Sequence, residues 1–132
     1  MALSDDMSAN YVKMPELFDY NQPRIEEYHS PREWKGTDKA LEGVFLALLA
    51  ADRAQTLQAS KRRDLEEANP ILGLHPSKGK INGYFGAAAL AHMGLAHLLP
   101  EPYRNLFQGV TIGIEQQPVR NNYKLGLDAI RW

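Results

Sequence analysis

The chain has no cysteine, no excess of either charge and no long hydrophobic run. The lack of cysteine excludes disulfides, thiol catalysis and zinc sites built on cysteine. Because the net charge is −1, nothing in the overall charge indicates binding to nucleic acid. No secretory leader is indicated either, since Asp5 and Asp6 stand near the first residue and no apolar segment follows them. We therefore expect an intracellular protein, or one inside a particle assembled in a cell.

The composition divides the chain into an arm and one domain. Overall, 44% of the 132 residues are hydrophobic and 23% are charged, which is typical of a globular protein. The first 36 residues differ, because they hold seven acids, four bases and three of the eight prolines. We predict an extended arm rich in proline and aromatic residues over 1–36 and a helical domain over 37–132.

Aromatic residues are spread along the arm, which a purely flexible linker would not require. Such residues on a chain interrupted by proline favour an arm that lies in grooves of another subunit. The alternative is that the arm wraps around its own domain. The candidate contact residues are Tyr11, Phe18, Tyr20, Tyr28 and Trp34.

Local signals predict a short helix followed by a long one. Ser30-Pro31-Arg32-Glu33 has the layout of a capping box and predicts a helix that stops near Gly36. Thr37 and Asp38 then cap a helix of about 20 residues with a wide apolar face, running from Ala40 to Gln58. We expect the charged residues 59–68 to form its solvated end and Asn69-Pro70 to break it.

Two further helices are predicted after this break. Ser77 is the expected N-cap of the second, whose segment 82–99 has no formally charged residue and stops at Pro100. The third covers Tyr103–Gln117 and ends at Pro118, although the β-branched residues 110–112 also allow a strand. Residues 123–132 are compatible with a last helical turn or a strand. The fold class is therefore all-α, with about three helices and an extended N-terminal arm.

Small residues recur every four positions in the second helix, which lets another helix approach closely. One row contains Gly83, Ala87 and Ala91, and another contains Ala88, His92 and Ala96. Similar rows occur in pairs of membrane helices and in tight soluble bundles. The pattern predicts helix packing and does not distinguish these two environments.

A spaced set of motifs resembles small uncharacterised proteins of bacterial, prophage and phage genomes. The set reads Asp-x-x-Gln-Thr from Asp52, Glu-x-Asn-Pro-Ile-Leu-Gly from Glu67, His-Pro-Ser from His75 and Lys-Ile-Asn-x-Tyr-Phe from Lys80. More loosely, it resembles a bacterial membrane domain of unknown function. The resemblance covers about residues 37–117 and implies about three hydrophobic helices, with no known activity. The candidate structural-motif residues are Asp52, Gln55, Thr56, Asn69, Pro70, Gly73, His75, Ser77 and Asn82.

The candidates for metal or catalytic chemistry are His75, His92 and His97 with Asp52 and Glu67, which can converge if the helices pack antiparallel. His92 and His97 are five residues apart and do not share a helix face, so the enzyme alternative uses His75, Asp52 and Glu67. The alternative is structural: Asp52, Asn69 and His75 hydrogen-bond the backbone of the connector, or Asp52 pairs with Lys80 or Arg53. No cofactor is expected, and Lys78-Gly79-Lys80 lacks the flanking residues of a phosphate-binding loop.

Five bases stand in the segment that joins the first two long helices. Lys61, Arg62, Arg63, Lys78 and Lys80 are typical of a loop that meets anionic lipid, or of a cytoplasmic loop beside a membrane. The acids between them also fit an ordinary solvated loop.

The sequence and the resemblance together predict a non-enzymatic structural or interaction protein of a phage, in the virion or accessory to it. We expect contacts with other subunits through the arm, in a homo-oligomer or a larger assembly, and contact with the inner membrane during host entry. The expected location is the virion or the host-cell cytoplasm. Two alternatives stand beside this hypothesis: a small integral membrane protein with helices 38–58, 80–99 and 103–117 in the bilayer, and a metal-dependent enzyme using His75, Asp52 and Glu67.

Overall fold

Residues 33–129 are described in the computed structural model, and they form three α-helices with no strand among them. The helices are α1 (Gly36–Ala59), α2 (Lys78–Leu98) and α3 (Tyr103–Lys124). The predicted all-α class is confirmed. The cap at Ser30 and the arm residues Tyr11, Phe18, Tyr20 and Tyr28 lie outside the described residues. Trp34 is the one member of the aromatic set that is described.

The start of α1 differs from the prediction. Glu33, Trp34 and Lys35 are not helical, so the short helix expected to reach Gly36 does not extend over them. Lys35 is the N-cap, and Asp38 stands three residues later with its carboxylate accepting a hydrogen bond from the Lys35 N–H at 2.7 Å. Asp38 therefore stabilises the first turn from inside the helix, because carboxylates favour the positive end of the helix dipole.

The charged segment 60–68 is not helical, which corrects the expectation that it would continue α1. The helix ends at Ala59, ten residues before Asn69-Pro70. The connector then turns back: Asn69 accepts bonds from the N–H groups of Leu72 and Gly73, and its side chain accepts one from Ile71. Gly73 adopts φ 77°, which favours glycine. This turn places Leu72, which is 2% exposed, in the hydrophobic core. If α1 continued as a helix through residues 60–68, Leu72 would lie farther from the core.

Helix α2 begins and ends as its sequence predicts. The Ser77 hydroxyl accepts a hydrogen bond from the Lys80 N–H at 3.3 Å, which confirms Ser77 as the N-cap. Leu98 is the last helical residue, two positions before Pro100.

Helix α3 runs through Pro118, which was expected to end it. The residues 110–112, for which a strand was also allowed, are helical. Pro118 removes one hydrogen bond of the helix, but the next turn is held from outside. The Val119 carbonyl accepts a bond from the Gln55 side chain, and the Asn122 side chain donates to Asp52. These contacts with α1 outweigh the local preference, and the chain turns only at Gly126.

Helix α1 lies at the centre and contacts both other helices, while α2 and α3 touch each other little. It runs parallel to α3, as the pairs Asp38–Arg104 and Asp52–Asn122 require, and antiparallel to α2, as the pairs Glu42–His92 and Arg53–Asn82 require. The hydrophobic core joins α1, the connector and α2 through five buried residues: Phe45, Leu49, Leu72, Ile81 and Phe85.

The distribution of polarity is partly inverted in this bundle. Seven polar or charged residues are buried: Asp38, Glu42, Gln55, Thr56, His92, Arg104 and Gln108. Large apolar side chains remain exposed on α2 and α3, among them Leu90 at 70% and Leu106 at 65% exposure. Since buried polar groups must be paired and exposed apolar groups gain by burial, the buried polar residues are expected to bond one another and the apolar surface to favour contact with another surface.

Replacing Ser77 by Ala is expected to lower the free energy of unfolding by about 1 kcal/mol, because the α2 N-terminus loses its side-chain acceptor. Urea unfolding followed by circular dichroism measures this change. Ser60→Ala is the control, since the Ser60 hydroxyl bonds a carbonyl in an exposed turn and caps no helix start. Equal losses in the two variants would contradict the capping role.

Candidate functional site

A cavity of about 430 Å³ lies between α1, the connector and α3. Its polar lining comes from several motif residues of the sequence: Asp52 and Thr56 on α1, and Glu67 and Asn69 in the connector. The turn at Asn69 and the core contact of Leu72 fold the connector back against α1, which brings these two motifs together. Asp52 and Glu67, which the sequence analysis grouped as candidate catalytic residues, both line this cavity.

Two neighbouring carboxyl groups act on Asp52 at this cavity. Burial first, and then the nearby charges of Glu115 and Glu67, raise the pKa of Asp52 from its usual 3.8 to about 7, against the hydrogen bond from Asn122. Burial also raises the pKa of Glu115. Desolvation and like charge both disfavour the ionised form of an acid. The cavity therefore contains an acid that exchanges its proton near neutral pH.

The hydrogen bonds of these acids are incomplete. Asp52 Oδ1 accepts a bond from the Asn122 side chain at 2.9 Å. Glu115 Oε1 is buried without a partner among the described residues. A partly buried acid without a donor is more stable in its neutral form, which agrees with the raised pKa of Glu115. Chemically, the site can hold a proton or attract a cationic group.

His75 does not belong to this cavity. It is exposed in the connector and is absent from the lining, so the set His75, Asp52 and Glu67 does not surround a common space. The ion pairs suggested for Asp52 do not form either. Lys80 donates to the Leu72 carbonyl at 2.7 Å, and Arg53 donates to the Asn82 side chain at 3.0 Å.

The other motif residues have structural contacts. Gln55 is fully buried and donates to the carbonyls of Val119 at 3.3 Å and Leu127 at 3.2 Å, which holds the end of α3 against α1. Asn69 and Gly73 shape the connector, while Pro70 is exposed within it. The hydrogen bonding proposed for the connector backbone thus comes from Asn69, whereas Asp52 bonds Asn122 instead.

A buried network at the other end of the bundle was not foreseen from the sequence. The Arg104 side chain is fully buried and donates to Asp38 Oδ2 at 3.1 Å, to the Ala96 carbonyl at 2.8 Å and to the Glu33 carbonyl at 3.1 Å. Its guanidinium also lies 5.3 Å from the centre of the Trp34 ring, within cation–π range. Arg104 therefore joins α1, α2, α3 and the residues that precede α1.

Gln108 extends this network along α3. Its amide donates to the Asp38 carbonyl at 3.1 Å and to Glu42 Oε2 at 2.9 Å. Glu42 Oε1 in turn lies 3.0 Å from His92 Nδ1, and His92 Nε2 lies 2.7 Å from the Thr111 hydroxyl. Since a carboxylate only accepts, His92 Nδ1–H donates to Glu42, and the Thr111 hydroxyl at Nε2 also lies within donating distance of the Phe107 and Gln108 carbonyls.

The carboxylate, imidazole and hydroxyl stand in the order found in hydrolytic triads, but the imidazole is covered. The Phe45 ring stacks on it at 3.5 Å and the Phe107 ring at 4.7 Å between centroids. His92 itself is 5% exposed. A substrate has no approach to a ring enclosed in this way, so the arrangement is a structural polar core.

Comparison with family models, with curated proteins and with solved structures found no match for this chain. The resemblance to the phage and bacterial family therefore stays a prediction. Within residues 33–129, no helix combines the length and the apolar character needed to cross a membrane. In the same part of the chain, no group of three potential ligand residues is arranged to hold a metal ion.

Asp52→Asn is expected to flatten the dependence of stability on pH between about 5 and 7. The folded state holds a proton on Asp52 that the unfolded state has released, because the pKa is about 7 in the fold and 3.8 by default. The free energy of unfolding of the natural chain therefore falls as pH rises through this range, and levels off above it. Thermal unfolding from pH 4 to pH 8 measures the slope.

Asp64→Asn is the control for this experiment, because a hydrogen bond from Arg62 lowers the pKa of Asp64. That carboxyl is ionised in both states over the same pH range, so its removal leaves the slope between pH 5 and 7 unchanged. An Asp52→Asn variant with the slope of the natural chain would contradict the assigned pKa.

Arg104→Leu is expected to lower the free energy of unfolding by about 3–5 kcal/mol, because the buried Asp38 carboxylate loses its cation. Urea unfolding measures the loss. Arg62→Leu is the matched control, since it breaks the Arg62–Asp64 pair on the exposed connector and exposed pairs contribute little. Similar midpoints for the two variants would show that the buried pair is not needed.

Proposed function

We propose that this chain is a non-enzymatic structural or interaction protein of a phage that acts by packing against other protein subunits. The phage assignment rests on the motif resemblance. The observation that carries the packing role is an apolar surface on part of each helix, where no Asp, Glu, Lys or Arg is exposed. Monomeric soluble proteins rarely expose large contiguous apolar patches.

This surface, here called the apolar belt, consists of the exposed residues of segments 40–51, 82–98 and 103–114. No Asp, Glu, Lys or Arg is exposed within these segments, because their two charged residues, Glu42 and Arg104, are buried. The large side chains exposed on the belt are Val44, Leu90, Met93, Leu95, Leu98, Tyr103, Leu106, Val110 and Ile114. Burial of such side chains against a partner is favourable by about 25 cal/mol per Å² of apolar area.

The arm is the second element of the proposal. Its last residues are fixed to the bundle, because Arg104 binds the Glu33 carbonyl and Lys35 Nζ lies 2.7 Å from Glu101 Oε2. These contacts fix Glu33 and Lys35 beside the start of α3. We propose that the aromatic residues before Glu33 contact neighbouring subunits of the assembly.

Contact with a membrane is a second candidate function, favoured by the charges at the ends of the belt. At the connector end, seven bases are exposed beyond the apolar segments: Lys61, Arg62, Arg63, Lys78, Lys80, Arg120 and Lys124. Bases beside an apolar surface favour anionic lipid. Under this alternative the bundle associates with the membrane surface during host entry.

Light scattering on the full chain without detergent is expected to give a defined oligomer. Replacing Tyr11, Phe18, Tyr20 and Tyr28 together by Ser is expected to lower its mass, because the arm loses its apolar contacts. Tyr123→Ser, at an exposed tyrosine of α3, is the control and should leave the mass unchanged.

Each other outcome has a clear meaning. A full chain that is monomeric at every concentration contradicts the proposal. Full partition into vesicles containing anionic lipid, without oligomers in their absence, favours the membrane alternative.

A further inference from the structure

We infer that two copies of this chain pair through the outer face of α2, antiparallel and about a two-fold axis between residues 90 and 91. This inference rests on the proposed assembly function and names the surface that the copies share. It starts from α2, which packs less extensively on α1 than α3 does.

The face in question is a row of six residues on α2: Gly83, Ala87, Leu90, Ala91, Gly94 and Leu98. At 100° per residue they lie within an arc of about 100°, and all six are exposed. The buried residues Ile81, Phe85, His92 and Ala96 lie on the opposite side, facing the bundle. The row therefore points away from the molecule's own core.

The row is self-complementary in size only when the second copy runs antiparallel. About an axis between residues 90 and 91, Gly83 faces Leu98 of the other copy, and Leu90 faces Ala91. Leu90 is 70% exposed and Leu98 is 66% exposed, so both have area to bury. A Cβ built at Gly83 meets nothing within 4 Å, so space for the opposing leucine is present. Large side chains thus fall opposite small ones, as close helix packing requires.

Charge agrees with the same register. The row begins after Lys78 and Lys80 and is followed by Glu101, all of which are exposed. Lys80 donates to the Leu72 carbonyl and Glu101 is paired with Lys35 within the chain, so the helix ends carry the argument. The first turn of α2 contains no acid to balance its dipole, and an antiparallel neighbour brings a negative helix end close to it. A parallel pair would set like charges side by side.

Single cysteines test the register, because the natural chain contains none. In the full-length protein, Ala91→Cys lies next to the axis and is expected to form a disulfide between copies under mild oxidation. Gly83→Cys is expected to remain reduced, since its two copies are about 22 Å apart at 1.5 Å per residue. The double variant Gly83→Cys with Leu98→Cys is expected to cross-link again. Disulfide formation requires Cα atoms within about 7 Å.

Leu90→Glu supplies an independent test by light scattering. It places two carboxylates near the axis and is expected to release the pair as single chains. Leu74→Glu is the matched control, because Leu74 is a leucine of 58% exposure in the connector and lies outside the apolar belt. Circular dichroism on both variants checks that the helices remain.

The outcomes separate this inference from the proposed function. Cross-linking of Gly83→Cys as efficient as that of Ala91→Cys overturns the antiparallel register. An oligomer that survives Leu90→Glu, with Ala91→Cys left reduced, overturns the α2 interface and leaves the assembly function standing. A chain that is monomeric throughout overturns both.

Discussion

The ion pair between Arg104 and Asp38 is the contact on which the arrangement of this bundle depends. Both side chains are fully buried, so the pair must be complete: a single charge left at this depth costs several kcal/mol. Its bonds also fix geometry, because Arg104 reaches the last turn of α2 through the Ala96 carbonyl and the entering chain through the Glu33 carbonyl. Four segments of the chain are thus set in register at one end of the bundle.

Polar contacts at the other end have the same effect with neutral groups. Gln55 binds the carbonyls of Val119 and Leu127, and Asn122 binds Asp52. These bonds hold α3 along α1 beyond Pro118, where the helix alone would weaken. The cavity beside Asp52 lies where this zone meets the connector, and its acids remain partly desolvated because the connector covers them. The raised pKa of Asp52 is a consequence of that packing.

The sequence predicted the fold more successfully than the polar core. The Ser77 cap, the uncharged segment of α2 and the α3 start follow from local rules, because capping residues, periodicity and proline act within a few residues. The predictions that α1 continues through the charged segment 59–68 and that α3 ends at Pro118 were wrong. Distant contacts of Leu72, Gln55 and Asn122 decide where these two helices end. Glu42 and Arg104 were missed for the same reason. The signal for each of these two residues was a single charged residue inside an apolar segment, which indicates a buried charge. The sequence does not show its partner, because that residue lies more than 40 positions away.

The inverted polarity has one physical origin. The interior uses polar pairs to specify how three helices meet, and such pairs contribute register more than net stability. Much of the apolar area that would stabilise an ordinary bundle lies outside instead, on the belt. A small bundle of this kind gains stability when another surface covers the belt. Burial of the belt adds hydrophobic free energy to that supplied by the bundle's own small core. In the assembly that we propose, the polar core and the exposed belt act together: the core fixes the shape of a single copy, and that fixed shape lets the outer row of α2 pack closely against a second copy.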